Sequence, residues 1–277
     1  MNRLSVDKQK AVVTALVEGS SINSTVRMTG VSKPTILKLI RDLGGACARY
    51  HDQYVRGLKP ATVQVDEIWA FCYAKQKNVP ADMQGEYGYG DVWTWTGITD
   101  QKLIIGYHVG LRGQADADMF MQDLAGRITN RTQLTSDGHT TYLNAVESAF
   151  GDEVHYAQLV KTYGGKPGDE RSSEGKYSPP KINGAKKTPM IGLPTRQLIS
   201  TSHVERSNLT IRMGMRRFTR LTNAHSKKIM YHESSVAMYF MFYNYCRVHS
   251  SIGTTPAVAS GLADHVWSLE ELLGLLL

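Results

Sequence analysis

The spacing of the apolar residues changes repeatedly between Ala61 and Val160, and that cadence restricts the fold more than any other feature of the chain. ATVQVDEIWAFCYA is β-branched and alternating, and DVWTWTGITD and KLIIGYHVG follow it, separated by loops rich in Gly, Asn and Asp. DADMFMQDLAGRI then switches to helical spacing, with Met119, Phe120, Leu124 and Ile128 on its apolar side. TQLTSDG reads as a strand ending in a glycine turn, TYLNAVESAF as a helix and EVHYAQLV as a further strand. Three strands, a helix, a strand, a helix and a strand predict an α/β domain with a mixed sheet flanked by helices.

That order is the order of the ribonuclease H core. Ahead of it, Lys59-Pro60 marks a boundary, and the preceding residues read as three short helices. Leu4, Val12, Val13 and Leu16 set the first apolar stripe. Ser20 or Ser21 caps the second helix, Gly30 ends it, and Ser32 caps a third with Pro34 in its first turn, where the missing N–H costs nothing. Two helices joined by a tight glycine turn form the helix-turn-helix pattern. Its second helix turns Ile36, Leu39, Ile40 and Leu43 inward and presents Ser32, Lys33, Thr35 and Lys38, the side chains expected to meet bases or phosphates in a DNA groove. The expected division is therefore a helix-turn-helix domain over 1–45, a linker over 46–60 and a ribonuclease H-like domain over 61–277. A basic loop without apolar periodicity is expected at about 162–189. Beyond it, helices are predicted over about 200–220 and 228–249. The aromatic and methionine stripe of the latter reads as core, as do Trp93, Trp95 and Tyr142.

Charge sorts along the chain in the same blocks. Residues 1–60 hold 10 Lys/Arg against 4 Asp/Glu, residues 61–160 hold 6 against 13, and residues 161–277 hold 16 against 8, within a net charge of +7. An acidic centre between basic flanks suits a carboxylate site on a surface that attracts a polyanion such as double-stranded DNA. The three cysteines are too far apart in sequence for metal-ligand spacing or a disulfide framework. With no apolar run approaching ~20 residues, the expectation is a cytoplasmic protein without a membrane partner.

Phosphodiester chemistry with two metal ions needs hard oxygen ligands converging from separate elements. Asp66 lies in the middle of the first strand among Val63, Val65, Ile68 and Phe71, where a charge requires a partner or a metal. Its neighbour Glu67 points to the opposite face by strand alternation, which makes Asp66 the expected ligand. Asp137 ends the strand TQLTSD, and Gly138 follows it. Glu205 heads a run that has no further acid from Arg206 to His232, and Asn208 and Arg212 share its helical face. Arg212, Arg216, Arg217 and Arg220 behind it are expected to neutralise phosphates.

Three stretches, VDEIWAF around Asp66, TSDGHTTY around Asp137 and HVERSNLTIR around Glu205, together resemble the insertion sequence one family of bacterial DDE transposases. The tail FYNYCRVHSSIGTTPA followed by GLADHVWSLEEL is similar to the end of that family's catalytic domain, so the resemblance runs from about Thr62 to Leu272. It implies a DNA transposase in which Asp66, Asp137 and Glu205 hold two Mg²⁺ ions, with Mn²⁺ able to substitute. Such an enzyme cuts at the ends of its own element, joins the freed 3′ hydroxyl to target DNA and works as a homo-oligomer on DNA, associated with the bacterial nucleoid. Many members carry a cysteine-based zinc finger ahead of the helix-turn-helix, and this sequence contains no such cluster. The alternatives are a DNA-binding regulator derived from a transposase, or a nuclease of the same fold without strand transfer.

Overall fold

A computed structural model describes residues 4–163, 182–219 and 222–277 of the chain. The expected basic loop falls largely outside them, as does Arg220. Three helices open the described chain, α1 (Val6–Val17), α2 (Ile22–Thr29) and α3 (Lys33–Tyr54). The Ser21 and Ser32 hydroxyls accept from first-turn amides of α2 and α3. Gly30 closes α2 in the left-handed region at φ 68°, a conformation in which a side chain at that turn would be strained.

The sheet follows, with β1 (Thr62–Cys72), β2 (Gly90–Thr99) and β3 (Ile104–Gly110) pairing antiparallel in sequence. Then come α4 (Gln114–Ala125), β4 (Gln133–Ser136), α5 (Thr141–Phe150), β5 (His155–Tyr163) and β6 (Ile182–Ile191). The strand order is β3-β2-β1-β4-β5-β6, with β4 parallel to both β1 and β5, so the predicted ribonuclease H-like mixed sheet is present. The C-terminal part contributes α6 (Ser202–Gly214), α7 (Ile229–Met241), a π-helical turn over Phe242–Cys246, α8 (Pro256–Ala259) and α9 (Leu269–Gly274). The stripe residues Met238, Tyr239, Met241 and Tyr245 are buried, as are Trp95 and Tyr142, in agreement with their reading as core, whereas Met230 is exposed and Phe242 and Trp93 are half-buried.

Two boundaries differ from those expected. Residues 182–189, expected to be loop, lie in β6, which pairs antiparallel with β5 as an edge strand. Its sequence INGAKKTPMI is Gly-, Lys- and Pro-bearing because only one edge is paired, and edge strands tolerate such residues. The second difference is at the expected 46–60 linker. α3 runs 22 residues without a break to Tyr54, past Gly44-Gly45, so most of the linker is helix.

Of the two glycines, Gly44 is required by packing. An added Cβ at Gly44 would lie 2.2 Å from the Ser234 carbonyl oxygen of α7, whereas one at Gly45 would meet only the Arg49 side chain, at 3.6 Å. Farther along α3, the His51 ring is hydrogen bonded with the Ile104 carbonyl of β3 at 3.1 Å, and Asn244 bridges both backbone groups of Ile104. Arg127 donates to the His51 and Val55 carbonyls and thereby closes the end of the helix. Burial pushes the His51 imidazole down to about 4, so it stays neutral in this packing. One apolar cluster consequently runs from Val12 and Val13 through Leu43 and Cys47 to Ile104 and Phe240, and the N-terminal helices share the core of the sheet.

Because Gly44 permits this close crossing, Gly44→Ala should lower stability in urea by about 1–3 kcal/mol. Gly45→Ala, in the same helix with space around it, should be neutral or raise stability by about 0.5–1 kcal/mol. Equal effects of the two substitutions would mean that α3 does not pack on α7 as described.

Candidate active site

The parallel ladder between β1 and β4 is short. It runs from Thr62↔Gln133 to Gln64↔Thr135 and stops, while β1 continues beside β2 to Cys72. Past Gln64 the β4 side of β1 is open at the carboxyl ends of the two strands, the position at which open α/β sheets bind ligands. Asp66 and Glu67 lie just beyond the end of the ladder on β1, and Asp137 follows β4 directly.

One carboxylate oxygen from each of Asp66, Glu67 and Asp137 can be chosen so that all three lie within 4.8 Å of one another. Strand alternation predicted that Glu67 would be excluded from any shared site. It does point to the opposite face, where Tyr142 of α5 donates to it at 2.7 Å and Arg112 pairs with it. With no ladder between β1 and β4 at this level, however, carboxylates from both faces approach around the open edge. Glu67 is thus already a buried, paired and hydrogen-bonded carboxylate. Asp66 has no such cation among the described residues.

Asp66 belongs instead to the α6 side of the sheet. Gln64, two residues earlier and on the same face, accepts the His203 and Val204 amides at 2.7 and 3.2 Å and so caps the start of α6. One turn later Asn208 donates to Asp66 Oδ2 at 2.8 Å. Sequence phasing set Asn208 beside Glu205 as a candidate phosphate contact or a brace for that carboxylate; the hydrogen bond goes to Asp66. Asn208 is buried, and its Oδ1 has no partner among the described residues.

Glu205 lies in the first turn of α6, where a negative charge also suits the helix N-terminus. Thr201 Oγ1 donates to it at 2.7 Å, and it pairs with Lys161 of β5. It stands outside the group of three carboxylates, and its side chain is 45% exposed. Sequence reading missed Lys161. The one signal was a lysine directly after the strand EVHYAQLV.

Among the DNA-contact candidates, Ser32, Lys33, Thr35 and Lys38 are exposed on one end of α3, although Lys38 is paired with Asp42. Arg216 is exposed, while Arg212 and Arg217 are half-buried. None of these basic residues lies in the carboxylate group.

Electrostatics set Asp66 apart. Burial first, and then the charges of Glu67, Asp137 and Glu205, push its carboxyl up to about 7. The donors present are oxygen atoms with an excess of negative charge, and the Asn208 amide oxygen is buried and unsatisfied beside them. That set fits a hard divalent cation held by Asp66 and Asp137, with Glu205 within the same electrostatic field.

No family model matches the chain, and no curated protein does. Among solved structures, the chain is similar to the Mos1 transposase paired-end complex with left transposon end, at 12% identity and a TM-score of 0.23 over 54% of this chain and 58% of that one. It is similar to the piggyBac transposase synaptic complex with hairpin DNA at 13% identity and a TM-score of 0.39, over 99% and 71%. For the Mos1 strand transfer complex the identity is 12% and the TM-score 0.23, over 53% and 56%. The chain thus spans less than two thirds of the Mos1 chains. These superpositions are loose, and the fold described above rests on strand order and register alone. Among the described residues, no helix is long and apolar enough to cross a membrane.

The raised Asp66 carboxyl has a definite sign for stability. The unfolded chain releases this proton near pH ~3.9 and the folded one near 7, so stability falls as pH rises across that window and the loss is complete above it. Calorimetry in EDTA should show the melting temperature of wild type declining from pH 5 to 7.5 relative to that of Asp66→Asn. Mg²⁺ should restore it at pH 7.5 and do little at pH 5. Parallel pH profiles for the two proteins would remove the charge imbalance from the account.

Proposed function

We propose that the chain is a metal-dependent DNA transposase, with Asp66, Asp137 and Glu205 as its catalytic carboxylates. The observation that carries this reading is the placement of Asp66 and Asp137 together at the open carboxyl ends of β1 and β4, with a carboxylate-bearing helix pinned against the same strand by Gln64 and Asn208. The resemblance of VDEIWAF, TSDGHTTY and HVERSNLTIR to the three acidic motifs of insertion sequence one transposases supports the finer identification.

Divalent cations such as Mg²⁺ or Mn²⁺, when bound, would supply charge for the leaving oxygen and lower the pKa of the attacking hydroxyl. The chain's own residues do the rest. Asn208 holds the Asp66 carboxylate in one orientation, Gln64 fixes the start of α6, and the Thr201 hydroxyl and the Lys161 ammonium hold Glu205 away until it is needed. Cleavage exchanges one P–O bond for another as a water oxygen attacks and a 3′ oxygen leaves. Joining repeats the exchange with that 3′ hydroxyl as nucleophile, so neither step needs an energy-bearing cofactor.

In this reading the N-terminal helices bind the ends of the element through Ser32, Lys33, Thr35 and Lys38, and Arg212, Arg216, Arg217 and Arg220 neutralise phosphates. Bringing two ends together would require more than one copy of the chain.

The test incubates purified protein and Mg²⁺ with a labelled duplex of the element end and a supercoiled target. Wild type should produce nicked and joined products. Asp66→Asn, Asp137→Asn and Glu205→Gln should each lower both by about 10²-fold or more while binding the duplex normally. Nicked product without joined product would reduce the assignment to a nuclease, and full activity of Asp66→Asn alongside a dead Glu67→Gln would move the site to the other face of β1.

A further inference from the structure

A second site lies away from the carboxylates, where the N-terminal helices meet the segment after α6. A cavity of about 810 Å³ opens there, lined on one side by the Gly19–Ser24 turn and Lys33 and on the other by Arg216, Arg217, Thr222, His225 and Lys227. Among the described residues, no Asp or Glu lines it. We propose that this cavity seats a phosphate of a DNA backbone and holds the strand between the N-terminal helices and the catalytic body.

Arg217 carries the argument. One N–H of its guanidinium donates to Ser226 Oγ at 2.9 Å, and no carboxylate among the described residues pairs with it. Ser226 in turn bonds His232 Nδ1 at 2.9 Å, and burial keeps His232 neutral, so the network behind Arg217 contributes no negative charge. Burial pushes Arg217 down to about 10, a sign of the desolvation that its charge bears without an opposite charge.

Two neighbours point the same way. Thr222 and His225 border the same cavity, and their Oγ1 and Nδ1 atoms are enclosed with no partner among the described residues. Buried polar groups left unpaired are costly, and here they gather around an unpaired cation. A phosphodiester supplies what is missing: one negative charge and non-bridging oxygens that accept from a guanidinium and a hydroxyl.

A second cavity of about 650 Å³ shares Thr222, His225 and Lys227 with the first and continues to Lys75, again without an acidic residue among the described ones. The pair forms a basic path suited to an extended strand rather than to a small anion. Lys33 at the start of α3 borders the first cavity, so a phosphate held there would set the distance between the DNA held by the N-terminal helices and the DNA presented to the carboxylates.

The proposal rests on the transposase reading only in taking DNA as the polyanion. Its test uses the full chain in EDTA, with duplex binding followed by fluorescence anisotropy as NaCl is varied. Arg217→Gln should weaken binding about tenfold and lower the slope of log affinity against log salt by about 0.9, the value for one phosphate contact, with no fall in melting temperature. Thr222→Val should weaken binding with the slope unchanged. Asp66→Asn should keep wild-type affinity and slope, which separates this site from the carboxylates.

Unchanged affinity and slope in Arg217→Gln would overturn the proposal even if Asp66→Asn abolished cleavage. A lower melting temperature with normal DNA binding would do the same, by making Arg217 a structural residue. Stabilisation of wild type but not of Arg217→Gln by inorganic phosphate, with no change in the duplex slope, would make the cavity a small-anion site and contradict the assignment to DNA.

Discussion

The three-residue parallel ladder between β1 and β4 is the constraint on which the rest of the site depends. A longer ladder would close the edge at Asp66 and fill the gap with backbone hydrogen bonds; a shorter one would leave β4 unfixed. Because it ends at Gln64↔Thr135, Asp66 and Asp137 emerge together where no strand intervenes. Gln64, the last ladder residue of β1, also caps α6, so the same position that ends the pairing aims the helix bearing Asn208 and Glu205. Strand pairing and helix placement are thus coupled through one side chain.

The charge distribution follows from this arrangement. Carboxylates gather at the sheet edge with only part of their charge balanced: Glu67 by Arg112, Glu205 by Lys161, Asp66 by an amide. Further cations gather on the exposed end of α3, where Lys38 pairs with Asp42, and around the cavity beside Arg217. A polyanion reaching the carboxylates would first be held by the rim and would meet negative charge only where a divalent cation can bridge.

Much of this was legible in the sequence, because the signals were local. The alternation of TVQVDEIWAFC, the helical stripe of DADMFMQDLAGRI and the serine caps at Ser21 and Ser32 each act within a few residues, and each element appeared where its pattern set it. Asp66 and Asp137 were legible because a charge inside or at the end of a buried strand conflicts with its surroundings. What could not be read depends on distant partners. Gly44 and Gly45 look like a break, yet Gly44 is required by Ser234 nearly two hundred residues away. The strand character of β6 comes from the open edge of β5 and not from its own side chains. Glu67 does face away from Asp66 as alternation requires, but alternation could not show that their carboxylates come close where β4 no longer pairs with β1. The bond of Asn208 to Asp66 was not legible because helical phase gives the face of a helix but not what that face meets.

Anomalous scattering from crystals of the full chain grown with Mn²⁺ at pH 7.5 tests the central claim most directly. The account predicts a peak bounded by Asp66 and Asp137, with Glu205 turned from Lys161 towards it, and no peak in Asp66→Asn crystals. A metal bound through Glu67 with Arg112 displaced, or no bound metal in well-ordered wild-type crystals, would contradict it.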